Sequence, residues 1–380
     1  MSEYQYYEFQ AIDRLLTTEQ QATMRKLSSR VELSATRAAF NYSYGGFRGE
    51  PLKVLEQHFD ALLYIANWGS KQLAFRLPRS AVAIEQLRPY TFGDEESILL
   101  DLLITPQYII LNLKIREEEG YGWIEGEGLL DLLIHLREAI LRGDLRALYL
   151  FWLCGAADQA AWIAEAEAEE LEPLSEPPVP PGLGQLDPAL QAFAEFFAID
   201  QDLIAAAAEA SPALTVTHEP IERWVSLLPE TERTTFLVRA AHGEPIGAEL
   251  LRRLRQIGGA QGPLSANTTQ RRTFRELQAA AMRQQQQRAQ RERLAAERAR
   301  LAKLEALAKR EAQVWASIPG LLAKRTASGY DEGVALLAEL RDLAVHQGQR
   351  AAFDTRLREA TAPYIGSAAL QRRLKEKRLE

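Results

Sequence analysis

Ser97-Ile-Leu-Leu-Asp-Leu-Leu-Ile104-Thr-Pro-Gln-Tyr108-Ile-Ile-Leu-Asn-Leu-Lys-Ile115 decides how this chain is read. Two runs of strand length, rich in Ile and Leu, flank Thr105-Pro106-Gln107, so 97–104 and 108–115 are expected to pair as a tight antiparallel hairpin. Toward the N-terminus the same period of two recurs. Tyr7, Phe9 and Ala11 alternate with Glu8 and Gln10, and Phe40, Tyr42 and Tyr44 alternate with Asn41 and Ser43 before Gly45-Gly46. Leu73, Phe75 and Leu77 alternate until Pro78. Between these candidate strands lie helical signals. Thr17 or Thr18 can cap a helix with Gln20 or Gln21 three residues on. Pro51 suits the first position of a helix carrying Leu52, Leu55, Phe59, Leu62, Leu63 and Ala66, ending near 67–69. Five strands interleaved with helices predict an α+β sandwich over 1–128, one antiparallel or mixed sheet with helices on one face.

Beyond residue 128 the period becomes helical. Leu130, Leu133, Leu136, Ile140, Leu148, Phe151 and Trp152 predict a helical extension over 129–171. Five prolines fall within 173–181, which excludes helix and central strand and predicts an extended, semi-rigid linker over 172–185. A small helical domain is expected at 186–257, where Glu230 and Glu232 open a helix that Arg239, His242 and Gly243 close, in keeping with the helix dipole. Residues 268–317, free of Gly and Pro and dominated by good helix formers, predict one long basic helix of about 75 Å. Leu294, Leu301, Ala308 and Trp315 recur every seven residues, a coiled-coil seam in its second half. Pro319-Gly320 is expected to end it, with a C-terminal helical hairpin and basic tail over 321–380.

The chain has 380 residues and a net charge of −7, which conceals a division. Residues 1–265 hold 22 Lys+Arg against 39 Asp+Glu, a net of −17, whereas 266–380 hold 23 against 13, a net of +10. Such segregation points to regions with different partners or a mutual attraction. One cysteine excludes a disulfide framework and a multi-cysteine zinc site, and fits a reducing cytosol. No apolar run reaches the length of a membrane span, and Met1-Ser-Glu-Tyr-Gln-Tyr lacks the basic and apolar regions of a signal peptide. A cytoplasmic protein with no membrane association is expected.

The sequence holds little catalytic chemistry. Cys154 and His135 fall on adjacent predicted helices, but a lone cysteine beside Phe151 and Trp152 reads as a buried thiol. The glycines at 120, 122, 126 and 128 are interspersed with Glu125 and Glu127, which opposes phosphate binding and predicts an acidic hairpin tip. Asp94-Glu95-Glu96 lacks the turn pattern of a calcium loop, and His218-Glu219 precedes a proline. No metal or cofactor is expected. A site in the α+β domain would draw on Asp13, Arg14, Tyr42, His58 and Trp68.

Three stretches resemble a group of uncharacterised bacterial proteins: Tyr7-Glu-Phe-Gln-Ala-Ile-Asp-Arg14, Phe59-Asp-Ala-Leu-Leu-Tyr-Ile-Ala-Asn-Trp-Gly69 and Tyr330-Asp-Glu-Gly-Val-Ala-Leu-Leu-Ala-Glu-Leu-Arg-Asp-Leu-Ala344. They lie at both ends of the chain. The resemblance implies a bacterial, cytoplasmic origin and brings no activity or site residues. Leu15 stands after Asp13-Arg14 where that likeness leads one to expect proline, so the first helix entry is expected to differ.

Charge and periodicity together predict a non-enzymatic adaptor or assembly component that meets a protein partner, or itself, through the long helix. Arg283, Arg288, Arg291, Arg293, Arg298 and Arg300, with Arg372, Arg373 and Lys375 of the tail, are the candidate contact residues. The alternative is nucleic-acid binding by 268–311 and the tail, where twelve Lys+Arg face five Glu but aromatics for base stacking are scarce. The second alternative is an enzyme with its site in the α+β domain.

Overall fold

The computed structural model describes residues 4–93, 97–117, 126–165, 174–214, 220–244, 246–258 and 271–379. Asp94-Glu95-Glu96, the first part of the acidic glycine-rich tip, His218-Glu219 and most of the glycine-rich break after 257 lie outside these. The chain forms two compact units, 1–285 and 286–380.

The first unit is built on an eight-stranded sheet, β1 (Gln5–Gln10), β2 (Glu32–Leu33), β3 (Arg37–Tyr42), β4 (Ala61–Ala66), β5 (Lys71–Pro78), β6 (Phe92–Gly93), β7 (Ile98–Ile104) and β8 (Tyr108–Ile115). The order is β2-β3-β1-β4-β5-β8-β7-β6, and every neighbouring pair is antiparallel. The hairpin expected at 97–115 is present. Ile104 stands opposite Ile109 and Asp101 opposite Asn112, and the turn closes with the Thr105 amide donating to the Tyr108 carbonyl at 2.9 Å.

Helices cover both faces of the sheet rather than one. Tyr7, Phe9, Phe40, Leu62, Ala74 and Ile110 face α1 (Thr18–Leu27) and α2 (Pro51–His58), burying Met24, Val54 and Leu55 with them. The alternate residues, among them Leu63, Leu73, Phe75, Leu111 and Leu113, are buried with a larger helical layer. After the short α3 (Ile84–Leu87), that layer comprises α4 (Leu129–Leu133), α5 (His135–Leu141), α6 (Arg146–Glu165), α7 (Pro188–Phe196) and α8 (Gln201–Ala208). The α1 start is the first of the two capping boxes considered: Thr17 Oγ1 accepts from the Gln20 amide and the Gln20 side chain accepts from the Thr17 amide.

The helix expected to run from Pro51 to about residue 67 stops at His58, and 61–66 form the central strand β4. The apolar residues of 52–66 fit a helical period, yet Ala61-Leu-Leu-Tyr-Ile-Ala66 is a continuous apolar run. That pattern suits a strand buried on both sides, and the helices on both faces demand it. The sequence-based reading also missed the short β2 and β6.

The proline-rich stretch runs inside the first unit. It is extended, as its prolines require, but Glu176 donates its amide to the Arg272 carbonyl at 2.9 Å and Phe274 donates to the Leu174 carbonyl at 2.8 Å. Leu183 is fully buried, and the Arg146 guanidinium joins Asp144, Asp187 and the Gln185 carbonyl over the same segment. Three further helices, α9 (Ile221–Leu227), α10 (Glu230–Ala241) and α11 (Gly247–Gly258), close on a small core of Trp224, Leu228 and Leu254. Glu230 and Glu232 open α10 and Arg239 closes it, as expected.

Packing in the large helical layer is tight at Gly155 of α6. A methyl group there would come within 1.7 Å of Phe92 Cε2 and 2.2 Å of Cζ. Gly155→Ala is therefore expected to cost about 1–3 kcal/mol of stability by overpacking. Urea unfolding should show the Phe92→Leu/Gly155→Ala pair losing less than the sum of the single changes; strict additivity would refute the contact.

The long basic helix is α12 (Phe274–Ala308), shorter than 268–317. It opens on a second capping box, in which Thr273 Oγ1 accepts from the Glu276 amide and the Glu276 carboxylate accepts from the Thr273 amide. Its first turns, through Phe274, Leu277, Ala280 and Ala281, belong to the core of the first unit. In the second unit, Leu304 and Leu307 are buried with Val314, Trp315, Ile318 and Leu322 of α13 (Glu311–Ala323). The break falls at Lys309-Arg310 rather than at Pro319, which lies inside α13. Turning there lets both segments bury their apolar residues in one core. The expected hairpin follows as α14 (Ala327–His346) and α15 (Arg350–Thr361), and the basic tail forms α16 (Ala368–Glu376), held by buried Leu370, Leu374 and Leu379.

Candidate functional site

Asp60 lies at the start of β4 with no solvent exposure, where an unpaired carboxylate would be prohibitively costly. Two arginines answer it. Arg76 of β5 reaches Asp60 Oδ1 through Nη2 at 2.8 Å and donates Nη1 to the Glu56 carbonyl at 2.7 Å. Arg137 of α5 lies 3.6 Å from the same Oδ1 and grips Asp13 with both Nη groups, at 2.6 and 3.0 Å. Asp60 Oδ2 accepts the amides of Ile12 and Asp13 at 2.7 and 2.9 Å. Burial works to raise the Asp60 carboxyl, but the charges of Arg76 and Arg137, with these hydrogen bonds, outweigh it and hold it below its ordinary value.

The cluster extends outward. The Arg76 guanidinium stacks 4.5 Å from the Tyr108 ring centroid, and Arg14 donates to the Tyr108 hydroxyl at 3.4 Å. His58 Nδ1 is buried without a hydrogen-bond partner among the described residues, and burial followed by the Arg76 charge lowers its pKa. Asp13, Arg14 and His58 are thus brought to one end of the sheet, as a site in this domain would need. Tyr42 and Trp68 are elsewhere: Tyr42 packs edge-on against Tyr7, and Trp68 Nε1 donates to Ser70 Oγ. Arg76 and Arg137 were not anticipated. For Arg76, a single charge in the otherwise apolar stretch Leu73-Ala-Phe-Arg-Leu77 was the available signal.

Chemically, this constellation is a clamp. An ionised carboxylate between two guanidiniums is a weak base and holds no proton to donate near neutral pH. What it does is fix the turn after β1, whose ends are also tied by Ala11 to Thr36 and Leu16 to Ala35 backbone bonds, leaving Ile12 and Leu15 exposed. Cys154 offers no nucleophile: its Sγ faces the Phe197 carbonyl at 3.7 Å, and burial pushes the thiol up to about 11, while His135 is exposed on another helix.

A groove of ≈ 450 Å³ lies between α10, α11 and Ser80. Its arginines are engaged: Arg239 with Glu249 at 2.7 Å, Arg253 with Glu232 at 2.8 Å, and Arg252 with the Ser80 carbonyl. Among the described residues no group of three or more His, Cys, Asp or Glu could hold a metal ion, and no helix is long and apolar enough to cross a membrane.

The basic residues separate into two sets. Arg283, Arg291, Arg293, Arg298 and Arg300 are exposed along α12, and Arg288 pairs with Glu292 at 3.3 Å. Every residue from 289 to 303 is exposed, including Leu294 at 47% and Leu301 at 36%. In the tail, Arg373 is held by Asp331 at 2.5 Å and Arg372 lies 3.6 Å from Glu376, while Lys375 is exposed. No family model, curated protein or solved structure matches the chain.

Proposed function

We propose that the chain is a non-enzymatic adaptor or assembly component of a cytoplasmic, bacterial protein complex, engaging a protein partner through the exposed stretch of α12. The observation that supports this reading is the stretch 289–303, in which no residue is buried although two leucines stand one heptad apart. A helix exposed on every face gains nothing from its own core, and leucines seven apart supply one side of a helix–helix seam.

Photo-crosslinking tests this. With a benzophenone side chain at position 294 or 301, cells of the source organism should yield one dominant adduct with a protein, and the same probe at exposed Leu237 should not. Equal labelling at all three positions would overturn the reading.

Nucleic-acid binding is the second reading, favoured by Arg291, Arg293, Arg298 and Arg300, which are exposed and have no ion-pair partner among the described residues. It predicts adducts with nucleic acid at 294 and 301 and a steep loss of affinity with salt.

A further inference from the structure

We infer that the occupant of the α12 seam is an acidic amphipathic helix, one with an apolar stripe flanked by carboxylates, and not a second copy of this chain. The inference rests on the adaptor reading and concerns the partner's chemistry.

The heptad register carries the argument. With Leu294 and Leu301 at the first position of successive heptads, Arg291 and Arg298 fall at the fifth and Arg293 and Arg300 at the seventh. These are the positions that border a helix–helix seam on its two sides and choose its partner. All four are arginine, and all four are exposed.

Self-pairing then fails on charge in either orientation. Two parallel copies would set Arg293 against Arg298 of the other, and two antiparallel copies would set fifth against fifth and seventh against seventh, again arginine on arginine. Like charges so juxtaposed disfavour association strongly. A helix with Glu or Asp on both flanks meets the same four guanidiniums with charge-assisted hydrogen bonds. The fourth heptad position adds a condition. Glu297 stands there between the two leucines, so the partner must present a donor such as Asn, Lys or Arg at the facing position, which fixes the pairing register. Only two leucines contribute apolar area, so affinity depends heavily on charge and falls with salt.

The test uses the full chain and three labelled probes followed by fluorescence anisotropy. Two are synthetic helical peptides sharing a leucine seam with one Asn opposite Glu297, with Glu on both flanks in one and Lys in the other. The third is a 20-base-pair DNA duplex. The acidic peptide is expected to bind at low salt, to lose about tenfold or more in affinity on Arg291→Glu/Arg298→Glu, and to be lost on Leu294→Gln/Leu301→Gln. Light scattering should report a monomer. All four positions are exposed, so circular dichroism should show the variants folded.

Binding of the basic peptide instead, or a dimer abolished by Leu294→Gln/Leu301→Gln, would overturn the acidic-partner inference while leaving α12 a protein-binding helix. Tight duplex binding indifferent to the leucine changes would overturn both. No binding by any probe would overturn the inference, and the crosslinking experiment would then decide the adaptor reading alone.

Discussion

Asp60→Asn should destabilise the first unit by about 3–5 kcal/mol, the cost of removing one partner from a buried ion pair. The substitution keeps the volume and removes the charge. Arg76 would then be buried without a counter-ion, and Arg137, also almost wholly buried, would keep only Asp13. An asparagine also has one acceptor oxygen where the carboxylate has two, so either the arginines or the Ile12 and Asp13 amides lose theirs. Because residues 286–380 form a separate unit, their amide exchange serves as an internal reference: β1, β4 and β5 should lose protection while α13–α15 do not.

The pH dependence follows from the same group. The folded-state pKa of Asp60 is depressed, so its contribution is fully present above the unfolded value of about 3.9 and is lost as pH falls through the folded value. The gap between wild type and Asp60→Asn should be wide at pH 7 and should begin to narrow only as pH falls below about 3.9. A gap unchanged across that window would show that the charge is not what stabilises the clamp.

Glu176→Gln should act at a different seam with a comparable effect, about 3–5 kcal/mol. The buried Glu176 carboxylate accepts from Tyr149 Oη and, at 2.8 Å each, from Nε and Nη2 of Arg272. Burial, then the Glu176 charge, raises the Tyr149 pKa, so the phenol stays a donor throughout the accessible range. Glutamine would turn an NH₂ toward a site that supplies only donors. Arg272 fixes the entry to α12, so the amides of 274–281 should exchange faster and trypsin should cut sooner after Arg272 and Arg275. Global destabilisation with those amides still protected would mean that the carboxylate does not anchor the helix.

The sequence allowed the α+β class and the 97–115 hairpin to be read directly and narrowed the first helix start to Thr17 or Thr18, because each rests on residues close together in the chain. The β4 strand was misread because its apolar spacing satisfies two periods at once, and only the helices on both faces of the sheet choose between them. The clamp was half legible. Asp13, Arg14 and His58 were among the candidates for a site in this domain, but Arg137 lies 124 residues from Asp13, and nothing local announces a pair so separated. The proline-rich stretch posed the opposite difficulty: its extended backbone was evident, whereas its packing depends on Arg272 and Phe274, about a hundred residues away.

That last attachment bears on when the protein can fold as it is made. Phe274, Leu277, Ala280 and Ala281 are interior residues of a body whose first strand begins at Gln5. During synthesis, the ribosome must release the chain as far as Ala281 before this interior can close. Until then the helical layer lacks the segment that packs on Trp152 and exposes apolar surface to chaperones and to neighbouring nascent chains. A termination site placed at the glycine-rich break after 257, however natural it looks on paper, would leave that surface open permanently.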